Sequence, residues 1–386
     1  MTTPAAKYAA AKKRSKHLVT EDFISEFEFP FDQFQIDACH AVESGHGVLV
    51  AAPTGAGKTV VGEFAAYLAL RNGKKCFYTT PIKALSNQKF QEFVARFGEE
   101  RVGLLTGDTN INSEADILVM TTEVLRNMLY ANSNTLTNLG SVVMDEVHYL
   151  ADKFRGAVWE EVLIHLMESV QVISLSATVS NAEEFGEWLG EVRGQTDVIL
   201  SEHRPIPLYQ HVLINSSLID LFSQPGKINP EILALEREAM RKVRIPRHRR
   251  EQWGAQESRL SRAEIMEKLN REDLLPAITF IFSRMGCDAA VKQCLTAGLR
   301  LTNTEERAEI MATAAKYTAN LPEEDLEVLG YREWITALER GIAAHHAGLL
   351  PSFKNAVEDL FQRGLVKAVF ATETLALGIN MPARTV

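Results

Sequence analysis

The feature that most constrains the fold is an alternation of short apolar runs with helical stretches between residues 45 and 200. The apolar runs lie at residues 48–51, 76–78, 117–120, 141–144 and 172–175. Runs of this length predict strands that are buried on both faces, and parallel strands require helix-length segments between them. The pattern therefore predicts an α/β fold with a parallel sheet covered by helices on both faces. Ligands of such sheets bind beyond the carboxyl ends of the strands.

A glycine-rich loop follows the first of these strands and leads into a helical stretch. Residues 52–59 read APTGAGKT, with alanine where the usual pattern has its first glycine. Gly55 and Gly57 allow a tight turn whose amides point at phosphate oxygens. Lys58 places a positive charge on the β- and γ-phosphates, and the Thr59 hydroxyl can bind Mg²⁺. The segment predicts a nucleotide-binding loop made of Thr54, Gly55, Ala56, Gly57, Lys58 and Thr59.

Two adjacent carboxylates follow the strand predicted at residues 141–144. Asp145 and Glu146 open the segment DEVH, which closes with His148. At a strand end that faces a phosphate loop, Asp145 suits the binding of hydrated Mg²⁺, and Glu146 suits orienting or deprotonating the attacking water. An isolated Asp-Glu pair is commonly a solvated strand end, but the phosphate loop upstream disfavours that interpretation. We therefore expect hydrolysis of a nucleoside triphosphate, with Glu146, Asp145 and Lys58 as catalytic residues.

Several other segments are weak evidence for function when each is considered alone. Gln35, in FPFDQFQ at residues 29–35, has an amide that can recognise adenine, although the neighbouring phenylalanines favour a core role. The tripeptide SAT at residues 176–178 is by itself only a helix start. Lys83 is equally well a solvated helix start, and Thr122 is equally well an N-cap. Their meaning depends on their order along the chain.

That order resembles the superfamily 2 helicases. The ordered set is Gln35, the phosphate loop, TPIKALSNQ at 80–88, TGD at 106–108, TTE at 121–123, DEVH at 145–148, SAT at 176–178 and FATETLALGIN at 370–380. Three stretches resemble the DExH superkiller or exosome-cofactor branch and its bacterial HelY-type members, namely residues 81–88, 152–161 and 345–351. The resemblance covers residues 25–386 apart from one insertion.

The resemblance implies two RecA-like lobes with ATP in the cleft between them and single-stranded nucleic acid lying across both. It assigns adenine recognition to Gln35, phosphates and Mg²⁺ to the loop and the acidic pair, and nucleotide contacts from the second lobe to Gly378 and Asn380. The implied contacts to the strand backbone are Pro81, Lys83, Asn87, Gly107, Thr122 and Thr372. The residues implied to couple hydrolysis to strand movement are His148, Ser176 and Thr178.

The same comparison with the family suggests a domain plan. We expect a mobile basic N-terminal tail at residues 1–24, the ATP-binding lobe at 25–203 and the second lobe at 204–386, with a polar insertion at about 223–273. The basic segment 241–250 within the insertion favours a solvated loop over a nucleic-acid contact. Family members carry a further motif with arginines after the segment at 370–380. We therefore expect an N-terminal fragment with an incomplete second lobe and weak hydrolysis of ATP.

The composition of the chain limits the classes of partner and the cellular environment that we expect. The net charge of −9 argues against a purely electrostatic nucleic-acid binder, although backbone amides and helix N-termini can grip phosphates on an acidic protein. No apolar run approaches the roughly 18 residues of a membrane span. The four cysteines form no CxxC pair, which favours a reduced, cytoplasmic protein.

The expected function is that of an ATP-dependent helicase or translocase on single-stranded or tailed RNA, moving 3′ to 5′ as the resemblance implies. RNA-decay machinery is the implied partner, and ATP and Mg²⁺ are the implied cofactors. Two alternatives stay open. One is a DNA helicase of the same architecture, and the other is a nucleotide-gated nucleic-acid clamp without productive unwinding.

Overall fold

The computed structural model describes residues 17–152, 155–177, 181–214, 217–224, 226–243, 260–322, 328–375 and 381–386. The chain divides into two compact units, the first ending at Pro207 and the second beginning at Leu208. Within the described ranges, no helix has the length and apolar character needed to cross a lipid bilayer.

The first unit is built on an eight-stranded sheet with the order β4-β3-β5-β2-β6-β7-β1-β8. Its strands are β1 Gly47–Ala51, β2 Lys75–Thr80, β3 Val102–Leu105, β4 Asn110–Ile111, β5 Ile117–Thr121, β6 Leu139–Met144, β7 Gln171–Ser176 and β8 Thr196–Leu200. All neighbours pair in parallel except β3 and β4. The predicted α/β fold with a parallel sheet is confirmed.

Helices cover both faces of this sheet. They are α1 Leu18–Ser25, α2 Gln33–Glu43, α3 Thr59–Arg71, α4 Lys83–Phe97, α5 Thr122–Tyr130, α6 Gly156–His165 and α7 Ala182–Arg193. The strands sort their side chains with a period of two, so that Tyr78 packs with α3 and α4 while Phe77 packs with α5 and α6. This explains why the central strands are apolar throughout, because both of their faces are buried.

Helix α1 differs from the sequence expectation, which placed residues 1–24 in a mobile tail. Residues 17–24 are ordered in the structure, and the Phe23 side chain is completely buried. Its ring packs edge-on against Phe27, Phe31 and Phe64, with centroid separations of 5.0, 6.0 and 5.3 Å. Burial of an aromatic ring outweighs the entropy of an ordered end, so the helix docks on the first unit. The remainder of the predicted tail, residues 1–16, lies outside the described residues.

The second unit contains a three-stranded parallel sheet with the order β13-β15-β14. Its strands are β13 Ala277–Phe280, β14 Ile342–His345 and β15 Ala368–Ala371. Two small antiparallel pairs precede them in the chain. One pairs β9 His211–Ile214 with β10 Ser217–Asp220, and the other pairs β11 Phe222–Gln224 with β12 Lys227–Ile228. Its helices are α8 Pro230–Val243, α9 Arg262–Arg271, α10 Arg284–Thr296, α11 Thr304–Thr318, α12 Tyr331–Leu338 and α13 Pro351–Gln362. Most of the basic segment at 241–250 lies outside the described residues.

Candidate functional site

The phosphate loop joins the carboxyl end of β1 to the start of α3. Gly55 and Gly57 have φ angles of +83° and +82°, the left-handed region that side chains disfavour. A Cβ at Gly57 would also lie only 2.6 Å from Gln35 Nε2. The loop therefore requires glycine at position 57 for its backbone and for its packing. Thr54 and Gly55 are exposed at the tip, whereas Ala56 is buried.

Lys58 is buried beneath this loop. Its ammonium donates to Ala52 O at 2.8 Å and to Pro53 O at 3.1 Å. Burial lowers the pKa of Lys58, and the nearby carboxylates of Glu146 and Asp145 partly offset that effect. The ammonium thus lies between the loop carbonyls and the acidic pair, in the place where phosphate oxygens need a positive charge.

The Gln35 side chain is hydrogen-bonded to the backbone of the phosphate loop. Its side-chain carbonyl accepts the Asp32 amide at 2.8 Å, which forms a capping box at the start of α2. Its Nε2 donates to Gly57 O at 3.0 Å. Both ends of the amide are therefore engaged with protein atoms, and recognition of adenine by Gln35 requires that these bonds be exchanged.

The acidic pair lies at the carboxyl end of β6, between β2 and β7. The Asp145 amide donates to Thr79 O at 2.9 Å, which continues the sheet by one residue. Asp145 Oδ1 accepts the Glu146 amide at 2.9 Å. Glu146 itself has a φ of +53°, and a left-handed conformation costs a residue with a side chain about 1–2 kcal/mol. Such strain is typical of functional positions, because the rest of the fold must maintain it.

The Glu146 carboxyl has an unusual proton affinity. Its pKa is raised from 4.5 to about 7, first by burial and second by the Asp145 charge, while Lys58 and Lys89 lower it. A carboxylate with a pKa near the working pH is well matched to accepting a proton from water. The environment therefore fits Glu146 as the residue that orients or deprotonates the attacking water.

The predicted coupling residues lie beside this pair. His148 Nδ1 is 3.2 Å from Glu146 Oε2, and burial together with Lys58 lowers the pKa of His148. Ser176 ends β7, which neighbours β6, and its hydroxyl is buried without a hydrogen-bond partner among the described residues. Thr178, the third predicted coupling residue, lies outside the described residues.

The oxygen atoms of the site fit Mg²⁺. Thr59 contributes a hydroxyl, and Asp145 and Glu146 contribute carboxylates, which are the hard donors that this ion prefers. Among the described residues, each Asp145 oxygen accepts one hydrogen bond, so lone pairs remain for a metal-bound water. The Thr59 hydroxyl accepts a hydrogen bond from Lys89 Nζ at 3.1 Å, and Lys89 is held in turn by Glu92 at 2.7 Å.

The predicted strand contacts of the first unit gather at one edge of the sheet. Pro81, Lys83 and Asn87 follow β2, Gly107 follows β3, and Thr122 follows β5, and these three strands are neighbours. Parallel strands end at the same edge, so the residues share it with the phosphate loop and the acidic pair.

These residues differ in what they offer a strand. Lys83 is half exposed and pairs with Asp108 at 2.9 Å, while Asn87 and Gly107 are exposed. Thr122 is completely buried, and its hydroxyl donates to Thr80 O at 3.3 Å. The whole residue is buried, so neither the hydroxyl nor the backbone amide of Thr122 is exposed to a strand in this structure.

Arg155 was given no role by the sequence analysis. Its Nη2 donates to Pro81 O at 3.0 Å and pairs with Glu123 Oε1 at 2.7 Å. It thus ties the loop after β2 to the first turn of α5. The sequence signal was present, because Arg155 lies in the stretch 152–161 that resembles the superkiller branch, but nothing in the sequence identified its partners.

The second unit carries the remaining predicted residues. Thr372 follows β15, and its amide donates to His345 O at 3.2 Å at the end of β14. Two buried histidines follow. His345 Nε2 lies 2.7 Å from Glu358 Oε1, and His346 Nε2 lies 3.0 Å from Asp288 Oδ1. Gly378 and Asn380, the predicted nucleotide contacts of this unit, lie outside the described residues.

Comparison with known proteins finds helicases. A DEAD/DEAH box helicase family profile matches residues 32–185, which contain Gln35, the phosphate loop and the acidic pair. The probable helicase HelY of Mycobacterium leprae is 58% identical across 94% of this chain, and the match covers 41% of that protein. The DExH-box ATP-dependent RNA helicase DExH15 of Arabidopsis thaliana is 42% identical across 95% of this chain and 34% of its own length. The antiviral helicase SKI2 of Saccharomyces cerevisiae is 35% identical. That match covers 100% of this chain and 35% of the length of SKI2. The chain therefore spans less than half the length of these relatives.

Proposed function

We propose, from the match of residues 32–185 to the DEAD/DEAH box helicase family model, that this chain is part of an ATP-dependent helicase or translocase acting on single-stranded nucleic acid. The observation that carries the proposal is the shared sheet edge. Four features follow the carboxyl ends of strands in one sheet. They are the phosphate loop, the acidic pair at 145–146, and the helix starts at Lys83 and Thr122. The proposed NTPase site and the proposed strand-binding face therefore lie along one edge of the same sheet.

The proposed chemistry is hydrolysis of ATP. The loop amides and Lys58 bind the phosphates, and Thr59 and Asp145 hold Mg²⁺, which neutralises charge on the phosphate oxygens when bound. Glu146 orients the attacking water and accepts its proton. His148 lies 3.2 Å from the Glu146 carboxylate, so it can sense the protonation of that group and relay the change.

The proposed mode of strand binding is independent of base sequence. Lys83, Asn87 and the amides in the first turns of α4 and α5 are suited to phosphate and sugar oxygens, which carry no sequence information directly. Thr372 adds a contact from the second unit in this proposal. Stacking of bases on aromatic residues plays no part in it, so little base preference is expected.

We propose RNA as the strand. The proposal rests on the resemblance to the superkiller branch and on the name of the Arabidopsis relative, an RNA helicase that is 42% identical. RNA-decay machinery as a partner rests on the same resemblance, and the proposed location is the cytoplasm. A DNA helicase of the same architecture is the second candidate, since the name of the mycobacterial relative specifies no nucleic acid. Competition between RNA and DNA of identical sequence for the chain, followed by fluorescence anisotropy, separates the two.

The clamp alternative is tested by Glu146→Gln. An enzyme should lose ATP turnover with this change while it keeps ATP and strand binding, because only the group that handles water is altered. A clamp should behave the same before and after the change. Equal turnover in wild type and variant, measured with single-stranded RNA present, would therefore contradict the proposed function.

A further inference from the structure

The hydroxyl of Tyr78 lies directly against the carboxylate of Asp145. Tyr78 Oη donates to Asp145 Oδ2 at 2.7 Å, and the two side chains are buried. Neither the sequence motifs nor the proposed chemistry assigns a task to this tyrosine. A buried polar group that is hydrogen-bonded to a functional carboxylate calls for an explanation.

The pairing follows from the register of the sheet. Tyr78 of β2 stands opposite Val143 of β6, and Asp145 lies two positions further along β6. Positions two apart on a strand share a face, so Tyr78 and Asp145 are diagonal neighbours on the side of the sheet that α3 covers. A long aromatic side chain reaches across such a diagonal, whereas a shorter residue at position 78 leaves a gap.

The ring is fixed from three sides. Phe93 of α4 packs edge-on against it with a centroid separation of 5.1 Å. Gly62 of α3 admits it, since a Cβ at that position would come within 2.7 Å of Tyr78 Cε2. The hydroxyl meets Asp145. The tyrosine thus spans from the helix that follows the phosphate loop to the strand that carries the acidic pair.

The carboxylate is held at both oxygens. Oδ1 accepts the Glu146 amide and Oδ2 accepts the tyrosine hydroxyl, so the plane of the carboxylate is set by two partners. An ionised carboxylate can only accept hydrogen bonds, so the tyrosine hydroxyl is the donor in this pair. Removing it leaves one buried carboxylate oxygen without its partner.

We propose that Tyr78 is a positioning residue that fixes the Asp145 carboxylate for the Mg²⁺ of a bound nucleotide. The proposal rests on the assignment of Asp145 to the metal in the proposed function. Outer-shell partners of metal-binding carboxylates orient their ligands, and their loss typically changes metal affinity by about 10- to 100-fold. Tyr78 acts in this account through Asp145 and touches neither nucleotide nor metal.

The test is Tyr78→Phe, which keeps the ring and removes only the hydroxyl. Binding of a fluorescent ADP analogue is titrated in EDTA and then at increasing Mg²⁺. The matched control is Tyr67→Phe, which removes a hydroxyl that contacts Arg71 on the surface of the same unit. Asp145→Asn serves as the reference for a damaged metal site. Free Mn²⁺, measured by electron paramagnetic resonance, gives a second reading of metal affinity.

The proposal predicts that nucleotide affinity in EDTA stays within about twofold for all four proteins. The Mg²⁺ concentration that produces half of the metal-dependent gain in affinity should rise about tenfold in Tyr78→Phe and stay unchanged in Tyr67→Phe. Equal metal requirements in Tyr78→Phe and wild type, or an equal loss in EDTA and in Mg²⁺, would overturn the role of Tyr78 while leaving the proposed function intact. An unchanged Asp145→Asn would instead remove Asp145 from the metal site, and with it the basis of both proposals.

Discussion

At the scale of single residues, Glu146 has a costly environment in the proposed nucleotide site. It combines a left-handed backbone with a buried carboxyl whose pKa is raised to about 7. Neither property stabilises the fold, because strain and the burial of charge both cost free energy. This cost is explained if Glu146 is retained at this position to orient and deprotonate the attacking water, as we propose.

This cost predicts a pH-dependent gain in stability for Glu146→Gln. The folded protein binds the proton up to a pKa of about 7 and the unfolded chain only up to about 4.5, so stability is lost as the pH rises between these values. Above pH 7 the variant should be more stable than wild type, with an upper limit on the order of 3 kcal/mol. The difference should disappear below about pH 4.5. Chemical denaturation without nucleotide or metal measures it, and a gain that is independent of pH would contradict the assigned cause.

Gly57 permits a second prediction at this scale. Alanine there meets both an unfavourable φ and the Gln35 side chain, so nucleotide affinity should fall by at least about tenfold. Gly190 in α7 is the matched control, because its added Cβ would meet nothing within 4 Å. Gly190→Ala should bind nucleotide like wild type. Isothermal titration calorimetry with ADP compares them, and similar affinities for the two variants would contradict the proposed loop.

At the scale of elements, the proposed strand-binding face depends on loops that follow different strands. Arg155 links two of them, since it contacts Pro81 after β2 and Glu123 in α5. Lys83 and Asp108 link a third, which follows β3. These contacts connect the loops that carry the proposed strand contacts.

Arg155→Gln should therefore weaken the response to a strand and spare nucleotide binding. The bond to Pro81 and the ion pair with Glu123 are half exposed, so a loss of about 1 kcal/mol, or about fivefold in strand affinity, is expected. Arg126→Gln is the control, because Arg126 pairs with Glu161 at 3.7 Å and contacts neither loop. Anisotropy of a labelled single strand measures the affinity. A change in ATP affinity with unchanged strand affinity would contradict this role.

The elements also show what sequence can predict. The central strands β1, β2, β5, β6 and β7 follow from their apolar runs, since burial on both faces leaves a continuous signal. β8 lies at the edge of the sheet and is half exposed along most of its length, so its composition of Thr196, Asp197 and following residues carries no such signal. β3 is interrupted by Gly103, and the antiparallel β4 beside it has only two residues.

The site shows a similar division. The phosphate loop and the acidic pair are local patterns whose spacing alone predicts their chemistry. Tyr78 and Asp145 are 67 positions apart, and Arg155 and Pro81 are 74 apart. Such partners are determined by strand register and helix packing, which a single sequence does not display.

At the scale of the whole molecule, charge limits how a strand is held. The chain carries a net charge of −9, and Lys83 is the one cationic side chain in the predicted set of strand contacts. Binding through amides and hydroxyls releases few counterions. The logarithm of strand affinity should therefore fall with the logarithm of salt concentration with a shallow slope of about −1. A slope several times steeper would contradict this contact set and would point to the basic segment at 241–250.

ATP turnover with and without single-stranded RNA, in wild type and in Lys58→Ala, tests directly whether this chain is a strand-coupled ATPase. We expect RNA to stimulate the weak turnover of this chain and Lys58→Ala to abolish it, because the ammonium between the loop and the acidic pair serves the phosphates. Turnover that is indifferent to RNA, or that survives in Lys58→Ala, would contradict a strand-coupled ATPase built on this sheet edge.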